Sequence, residues 1–173
     1  MKTRLVLTIV LAGLLGAGGG IGGYLLYERH LSSAGAMTRP DFQLPDLDGR
    51  LQSVSQWDGK VLVLNFWGTW CPPCVREIPM LIELQRDYRE QGLQIVGVAV
   101  DQRDAAQVFA ADVGINYPIL YGVQSALEVS QADRNDAGTL PYTVVIDRQG
   151  IVRHIFPTEL EREPLETILQ PLL

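Results

Sequence analysis

The sequence predicts an α/β fold in which a central mixed β-sheet is flanked by helices. Apolar runs of strand length alternate with stretches of helical periodicity, and this order favours a mainly parallel sheet covered on both faces. Residues 61–67 are apolar almost throughout, as in a central strand that is buried on both sides. Two further apolar runs, residues 142–146 and 151–156, flank a turn and predict an antiparallel hairpin at the end of the sheet.

The other elements follow in chain order. Asp48-Gly49 is a turn dipeptide between two short apolar segments, which predicts a hairpin before the central strand. A helix is expected from Pro72 to Gln91, because Gly92 is placed to end it. Strands are also expected at 93–100 and 118–121, and helices at 103–113, 123–131 and 159–169.

Composition limits the classes of function. The chain has 173 residues, of which 47% are hydrophobic, so it can form one domain with a buried core and a short appendage. Its formal net charge of −6 argues against nucleic acid as a partner. Its two cysteines cannot build a disulfide scaffold, and we expect them to act as a pair. Neither His30 nor His154 has a sequence context that indicates a catalytic role.

The N-terminus carries an uncharged segment long enough to cross a membrane. Residues 5–27 contain no charged side chain, and a helix of that length spans roughly 35 Å. Lys2 and Arg4 precede it, which favours a cytoplasmic N-terminus and an exported body. The apolar run exceeds the usual length of a signal peptide core, and this favours an uncleaved signal anchor. Cleavage after the small residues at 34–36 is the alternative.

These features predict two parts of the chain. Residues 1–36 form the signal anchor and a short linker, and residues 37–173 form the folded domain. The small and polar residues at 32–40 end in Pro40, which is typical of a linker.

The two cysteines stand at the junction between the buried strand and the helix. Cys71 falls at the predicted helix N-terminus, where unpaired N–H groups and the helix dipole favour a thiolate and lower the pKa of the thiol. Pro72 and Pro73 fit the first helical turn because no helical hydrogen bond needs their missing N–H groups. Cys74 lies one turn further along. We therefore expect Cys71 to attack a disulfide and Cys74 to resolve the mixed disulfide.

Two structural explanations of the same pair remain. A purely structural disulfide would close a loop of four residues, which restricts the unfolded chain by only about 2 kcal/mol. A zinc site shared between two chains would need ligands that nothing else in the sequence supplies.

Residues 61–79, VLVLNFWGTWCPPCVREIP, resemble the active-site segment of membrane-tethered, thioredoxin-like thiol-disulfide oxidoreductases of the TlpA/ResA type, relatives of the cytochrome c maturation protein CcmG. The resemblance is specific because a CxxC motif follows an apolar strand, Trp70 precedes it, and Pro79 follows Cys74 by five positions. It implies a thioredoxin-like fold, with an N-terminal hairpin extension and a βα insertion after the CxxC helix, and a redox-active disulfide between Cys71 and Cys74. It implies no organic cofactor and no metal.

The resemblance also implies roles for residues outside the CxxC motif. Pro141 matches a cis-proline that faces the two cysteines, and the backbone of Leu140 or Thr139 would then pair with an extended substrate segment. Glu77 matches an acidic active-site residue. It follows Cys74 by three positions on one side of the helix, so it could exchange a proton with the resolving thiol. The alternative for Glu77 is a solvated helix carboxylate.

Trp70 is expected to offer an apolar docking surface beside the attacking sulfur, whereas Phe66 and Trp67 are expected in the core.

The resemblance implies a reductant at the bacterial cytoplasmic membrane, with its domain in the periplasm or outside the cell. A membrane thiol reductase would supply electrons, and disulfides of protein substrates, such as those of apocytochrome c or a metal-delivery protein, would receive them. One alternative is the same exchange in the direction of oxidation or isomerisation. Another is a membrane-anchored binding or chaperone module that does not need its cysteines. A peroxidase is a weaker alternative, because such relatives generally need a differently placed cysteine.

Overall fold

A five-stranded mixed sheet forms the centre of the structure, a computed structural model that describes residues 37–173. The predicted membrane span, the 34–36 cleavage sequence and His30 lie outside the described residues. No helix within the described part of the chain is long and apolar enough to cross a membrane. The strands are β1 Gln43–Pro45, β2 Leu51–Ser53, β3 Val61–Trp67, β4 Leu93–Ala99, β5 Ile119–Tyr121, β6 Tyr142–Ile146 and β7 Val152–Phe156. The α-helices are α1 Pro72–Tyr88, α2 Arg103–Val113, α3 Gln124–Ala132 and α4 Arg162–Leu169.

The order of the strands in the sheet is β5-β4-β3-β6-β7. Strands β3, β4 and β5 are parallel, β6 is antiparallel to β3, and β7 is antiparallel to β6. Strands β1 and β2 form a separate antiparallel hairpin, as the Asp48-Gly49 turn predicts. Because β3 and β4 are parallel and in register from Val61 to Trp67, the segments that follow them leave the sheet at the same edge.

Both faces of the sheet are covered. Successive side chains of a strand point to opposite sides, so β3 contributes to the core on each face. Leu62, Leu64 and Phe66 are buried in a cluster on the side of α3 and the N-terminal hairpin. Val61 and Val63 are buried on the other side against α1 and α4. Full burial of each such side chain stabilises the fold by about 1.5–3 kcal/mol, which explains why β3 is apolar on both faces.

The last helix begins three residues later than the sequence pattern predicts. The predicted helix at 159–169 is observed as Arg162–Leu169, and Glu161 has extended dihedral angles at its N-cap. Tertiary contacts hold the preceding residues out of the helix: Glu159 pairs with Arg76, and the N–H of Leu160 donates to Glu77. The predicted start of this helix at residue 159 is therefore wrong.

The loop between α3 and β6 contains a buried carboxylate, that of Asp133. Asp133 is buried, and neither of its carboxylate oxygens has a hydrogen-bond partner among residues 37–173. Burial raises the pKa of this carboxyl to about 7, and the positive charge of Arg39 only partly opposes the shift. Below about pH 7, the folded protein therefore favours the protonated form of Asp133.

We expect Asp133→Asn to remove part of the pH dependence of stability. An acid whose folded pKa is raised from 3.8 to about 7 contributes its full stability below the lower value and loses it as the pH rises through the higher one. Between pH 5 and pH 7, the free energy of unfolding should fall by about 2 kcal/mol more in the wild type than in the variant. Urea denaturation of the oxidised proteins, followed by tryptophan fluorescence, measures this difference.

The matched control is Asp136→Asn, at an exposed position in the same loop. It should follow the wild type at every pH. Parallel curves for the wild type and Asp133→Asn would contradict the prediction.

Candidate active site

The disulfide between Cys71 and Cys74 lies between the end of β3 and the first turn of α1. Its S–S distance is 2.05 Å, and the two Cα atoms are 5.3 Å apart. Cys71 is the extended N-cap residue of α1, and no side chain caps the helix there. Prolines occupy the first helical positions, as predicted. The sulfur of Cys71 thus belongs to the residue at the positive end of the helix dipole.

The two cysteines differ in their access to solvent. Cys71 is 4% exposed, whereas Cys74 is fully buried in an apolar cluster with Trp67 and Ile78. Cys71 therefore keeps a small exposed fraction, whereas Cys74 keeps none. An attacking Cys71 and a resolving Cys74, as the sequence predicts, fit this difference in exposure.

The loop before Cys71 is held by Asp101, a residue that the sequence analysis missed. The backbone N–H and the hydroxyl of Thr69 both donate to Oδ2 of Asp101, at 2.8 and 2.6 Å. Oδ1 of Asp101 accepts from the N–H of Gln102 at 2.8 Å. Asp101 follows β4 as the 68–70 loop follows β3, so adjacent parallel strand ends were the signal that could have revealed it.

Trp70 lies beside the disulfide with an exposed ring in a fixed position. The ring is 62% exposed, and its Nε1 donates to the carbonyl of Val100 at 3.1 Å. A Cβ atom at Gly68 would come within 2.7 Å of Nε1, so glycine is required for this approach. Phe66 and Trp67 are buried in the core, as expected. The exposed indole is thus available to a docking partner.

The segment before β6 contains the cis-proline that the resemblance implies. The Leu140–Pro141 peptide bond is cis. Pro141 is buried, Leu140 is partly exposed, and Thr139 is exposed. Leu140 packs against the apolar cluster that contains Cys71 and Cys74. The structure thus brings Leu140, whose backbone was a predicted docking group, to the cluster that contains the two cysteines.

Glu77 is buried beneath the first turns of α1. It is 2% exposed, so the alternative of a solvated carboxylate is wrong. Oε1 accepts from the amide of Asn65 at 2.7 Å, and Oε2 accepts from the N–H of Leu160 at 2.7 Å. Burial raises the pKa of Glu77 to about 7, and the nearby charge of Glu159 adds to the shift, whereas the two hydrogen bonds oppose it.

Asn65 and Leu160 complete this buried site, and the sequence analysis assigned neither of them a role. The amide of Asn65 also donates to the hydroxyl of Thr143 on β6 at 2.9 Å, so it links β3, β6 and α1. A polar residue inside an otherwise apolar strand was the available signal for Asn65. Leu160 contributes through its backbone, which side-chain patterns do not reveal.

The described residues contain no group of three His, Cys, Asp or Glu side chains arranged to hold a metal ion. His154 lies exposed on β7, where its ring contacts that of Phe156. The chemistry that this site offers is that of the cysteine pair and of the buried acid one turn away.

Comparisons with known proteins agree with this chemistry. The AhpC/TSA family model matches residues 37–155. The thiol-disulfide oxidoreductase ResA of Geobacillus thermodenitrificans is 35% identical over 177 residues, which cover 99% of this chain and 97% of the relative. ResA of Geobacillus kaustophilus is 35% identical over 155 residues, which cover 87% of each protein.

Solved structures are similar to the described domain. A thiol:disulfide interchange protein of the thioredoxin family from Chlorobium tepidum superposes with a TM-score of 0.71 at 26% identity, covering 79% of this chain and 96% of that one. A secreted thiol-disulfide isomerase from Corynebacterium glutamicum gives a TM-score of 0.74 at 27% identity, covering 81% and 87%.

Proposed function

Because this chain belongs to the AhpC/TSA family and is a ResA-like thiol-disulfide oxidoreductase with a thioredoxin-like fold, we propose that it reduces disulfides of extracytoplasmic proteins. The observation that carries this proposal is a disulfide at a helix N-terminus in which only Cys71 reaches the surface. A protein substrate with an accessible disulfide is therefore the partner that the site can take.

The exchange proceeds in two steps from the reduced protein. The Cys71 thiolate attacks one sulfur of the substrate disulfide, forms a mixed disulfide, and releases the other sulfur as a thiolate. Cys74 then loses its proton and attacks Sγ of Cys71, which releases the second substrate sulfur as a thiolate and closes the Cys71–Cys74 disulfide. Two electrons have passed from the pair to the substrate.

Glu77 is proposed to take the proton from Cys74 in the second step. Cys74 is fully buried, so water cannot readily accept this proton. Glu77 follows it by one helical turn and has a pKa of about 7, which suits a group that both accepts and releases protons near neutral pH. Asn65 and the N–H of Leu160 would hold the carboxylate in place during this transfer.

Trp70 and the segment at Pro141 are proposed to dock the substrate. The exposed indole supplies an apolar surface on the residue that precedes Cys71. The backbone before Pro141 supplies a polar edge with which an extended peptide can pair. A partner segment would thus lie between the indole and this edge.

The reducing direction rests on the surroundings of the pair. Pro72 and Pro73 between the cysteines offer no positive charge or imidazole that would stabilise a thiolate strongly, and this disfavours a strong oxidant. In an oxidising compartment disulfides form by default, so the activity that a dedicated protein has to supply there is reduction. We therefore propose a membrane thiol reductase as the electron donor and disulfides of the cytochrome c maturation pathway, or similar ones, as the acceptors.

The proposed location follows from the uncharged segment of residues 5–27. Residues 1–36 would tether the protein to the bacterial cytoplasmic membrane, and residues 37–173 would form the catalytic domain on the outer side of that membrane. A cleaved form in the periplasm is the alternative.

The test is the equilibrium reduction potential of the full chain in detergent, measured against glutathione buffers. We expect a value near or below about −270 mV, the range of a reductant. A value near about −120 mV would contradict the proposed direction and identify a disulfide oxidase.

A further inference from the structure

Asn135, in the loop after α3, binds the backbone of Thr139 at both of its polar groups. Its Nδ2 donates to the carbonyl of Thr139 at 2.8 Å, and its Oδ1 accepts from the N–H of Thr139 at 3.0 Å. The hydroxyl of Thr139 also donates to Oδ1. These hydrogen bonds occupy the backbone groups with which Thr139 would otherwise pair with a substrate.

The backbone groups of the next residue, Leu140, are not occupied in this way. Among residues 37–173, none hydrogen-bonds to the backbone N–H or carbonyl of Leu140. Pro141, which follows it, has no N–H to offer, and regular pairing of β6 begins at Tyr142. Leu140 therefore presents one free N–H and one free carbonyl beside the cluster that contains the cysteines.

The side chain of Asn135 is itself fixed. It is buried, and its Nδ2 also lies 3.3 Å from the hydroxyl of Ser130 in α3. Its backbone N–H donates to the carbonyl of Ser130 at 3.0 Å, and its carbonyl accepts from the N–H of Gly138 at 2.8 Å. Asn135 thus connects a helix to the segment that carries Leu140.

We propose that Asn135 is a positioning residue for substrate docking, which locks Thr139 and thereby directs pairing of the substrate backbone to Leu140 alone. The proposal rests on the proposed exchange with protein substrates and deepens it. It predicts that a substrate segment makes a single pair of backbone hydrogen bonds with Leu140. It also predicts that loss of Asn135 slows the reaction with peptide disulfides but not with small disulfides, because small disulfides carry no backbone amide to be aligned.

The experiment compares two disulfides with the reduced full chain. One is an extended peptide with a single cysteine linked to 2-nitro-5-thiobenzoate, and the other is 5,5′-dithiobis(2-nitrobenzoate). Both release the same coloured thiolate when the pair attacks. We expect Asn135→Ala to lower the second-order rate constant for the peptide about 10-fold, since one or two backbone hydrogen bonds lose their alignment. The rate with the small disulfide and the exchange equilibrium with glutathione should stay within about two-fold.

Two further variants keep the test independent of misfolding. Asn135→Asp retains an acceptor for the N–H of Thr139 and should fall between the wild type and Asn135→Ala. Asn116→Ala removes an exposed asparagine that donates to the carbonyl of Ile82, and it should match the wild type with both disulfides. An equal loss with both disulfides, or no loss with the peptide, would overturn the proposal.

A peptide methylated at the backbone nitrogen next to its cysteine tests the role of Asn135 separately from the proposed disulfide exchange. The wild type should lose rate with this peptide, whereas Asn135→Ala should lose less, since its docking is already impaired. An equal loss of rate in both proteins overturns only the proposed role of Asn135 and leaves the proposed function in place. A wild type that reacts with neither disulfide overturns the proposed function as well.

Discussion

Replacing Cys71 by serine is expected to abolish disulfide exchange, and replacing Cys74 by serine is expected to stop it halfway. Cys71 is the member of the pair that reaches the surface, and the chain contains no other cysteine besides Cys74 that could take its place. The rate of insulin reduction should fall by about 10³-fold or more in Cys71→Ser. Cys74→Ser still attacks but cannot resolve, so it should accumulate a mixed disulfide with its substrate in a ratio of one to one. Non-reducing electrophoresis and mass spectrometry detect this species.

The same variants distinguish an enzyme from a membrane-anchored binding module. A binding or chaperone module would retain its effect in cells when either cysteine is replaced, whereas a disulfide reductase would lose it. Trapping by Cys71→Ser instead of Cys74→Ser would reverse the assigned roles. The control is the Cys71→Ser, Cys74→Ser double variant, which should trap nothing.

Replacing Glu77 by glutamine is expected to slow the resolving step by about 10²-fold at pH 8, the usual contribution of a positioned proton acceptor. Glu77 has a pKa of about 7, so its carboxyl is mostly charged above that pH and mostly protonated below it. Only the charged form can accept the proton of Cys74. The rate in the wild type should therefore rise as the pH passes through 7, and this rise should be absent from Glu77→Gln.

Stopped-flow fluorescence after mixing the reduced protein with excess substrate disulfide measures this step as the phase that follows formation of the mixed disulfide, since Trp70 and Trp67 report on the site. Glu83→Gln is the matched control: it changes an exposed carboxylate on the same helix and should keep the pH profile of the wild type. If Glu77→Gln retains the rise near pH 7, another group carries the proton.

Glu77 shows how the fold turns an ordinary residue into a titrating group near neutral pH. A glutamate on a helix is commonly solvated, and its position relative to Cys74 could indicate only that the two share a side of α1. Its burial is produced by β3 through Asn65 and by the segment before α4 through Leu160. The raised pKa is a consequence of this enclosure.

Asn135 and Asp101 illustrate the same dependence on long-range contacts. Asn135 occupies the backbone N–H and carbonyl of Thr139 through hydrogen bonds that depend on the path of the loop after α3. Asp101 fixes the 68–70 loop although it lies 32 positions after Thr69. Neither contact has a signature in the local pattern of residue types.

Local patterns alone were sufficient to predict the α/β architecture, the helix that begins at Pro72, and the hairpin at the end of the sheet, because periodicity, turn residues and prolines act within a few residues. The CxxC segment and its surroundings also indicated a thioredoxin-like thiol-disulfide oxidoreductase, and both the fold and this chemistry are confirmed. The start of α4, the enclosure of Glu77 and the occupied backbone of Thr139 required the folded chain. The hydrogen bond from Leu160 to Glu77 joins residues 83 positions apart, and contacts of this kind outweigh local helical preference only once packing has brought their partners together.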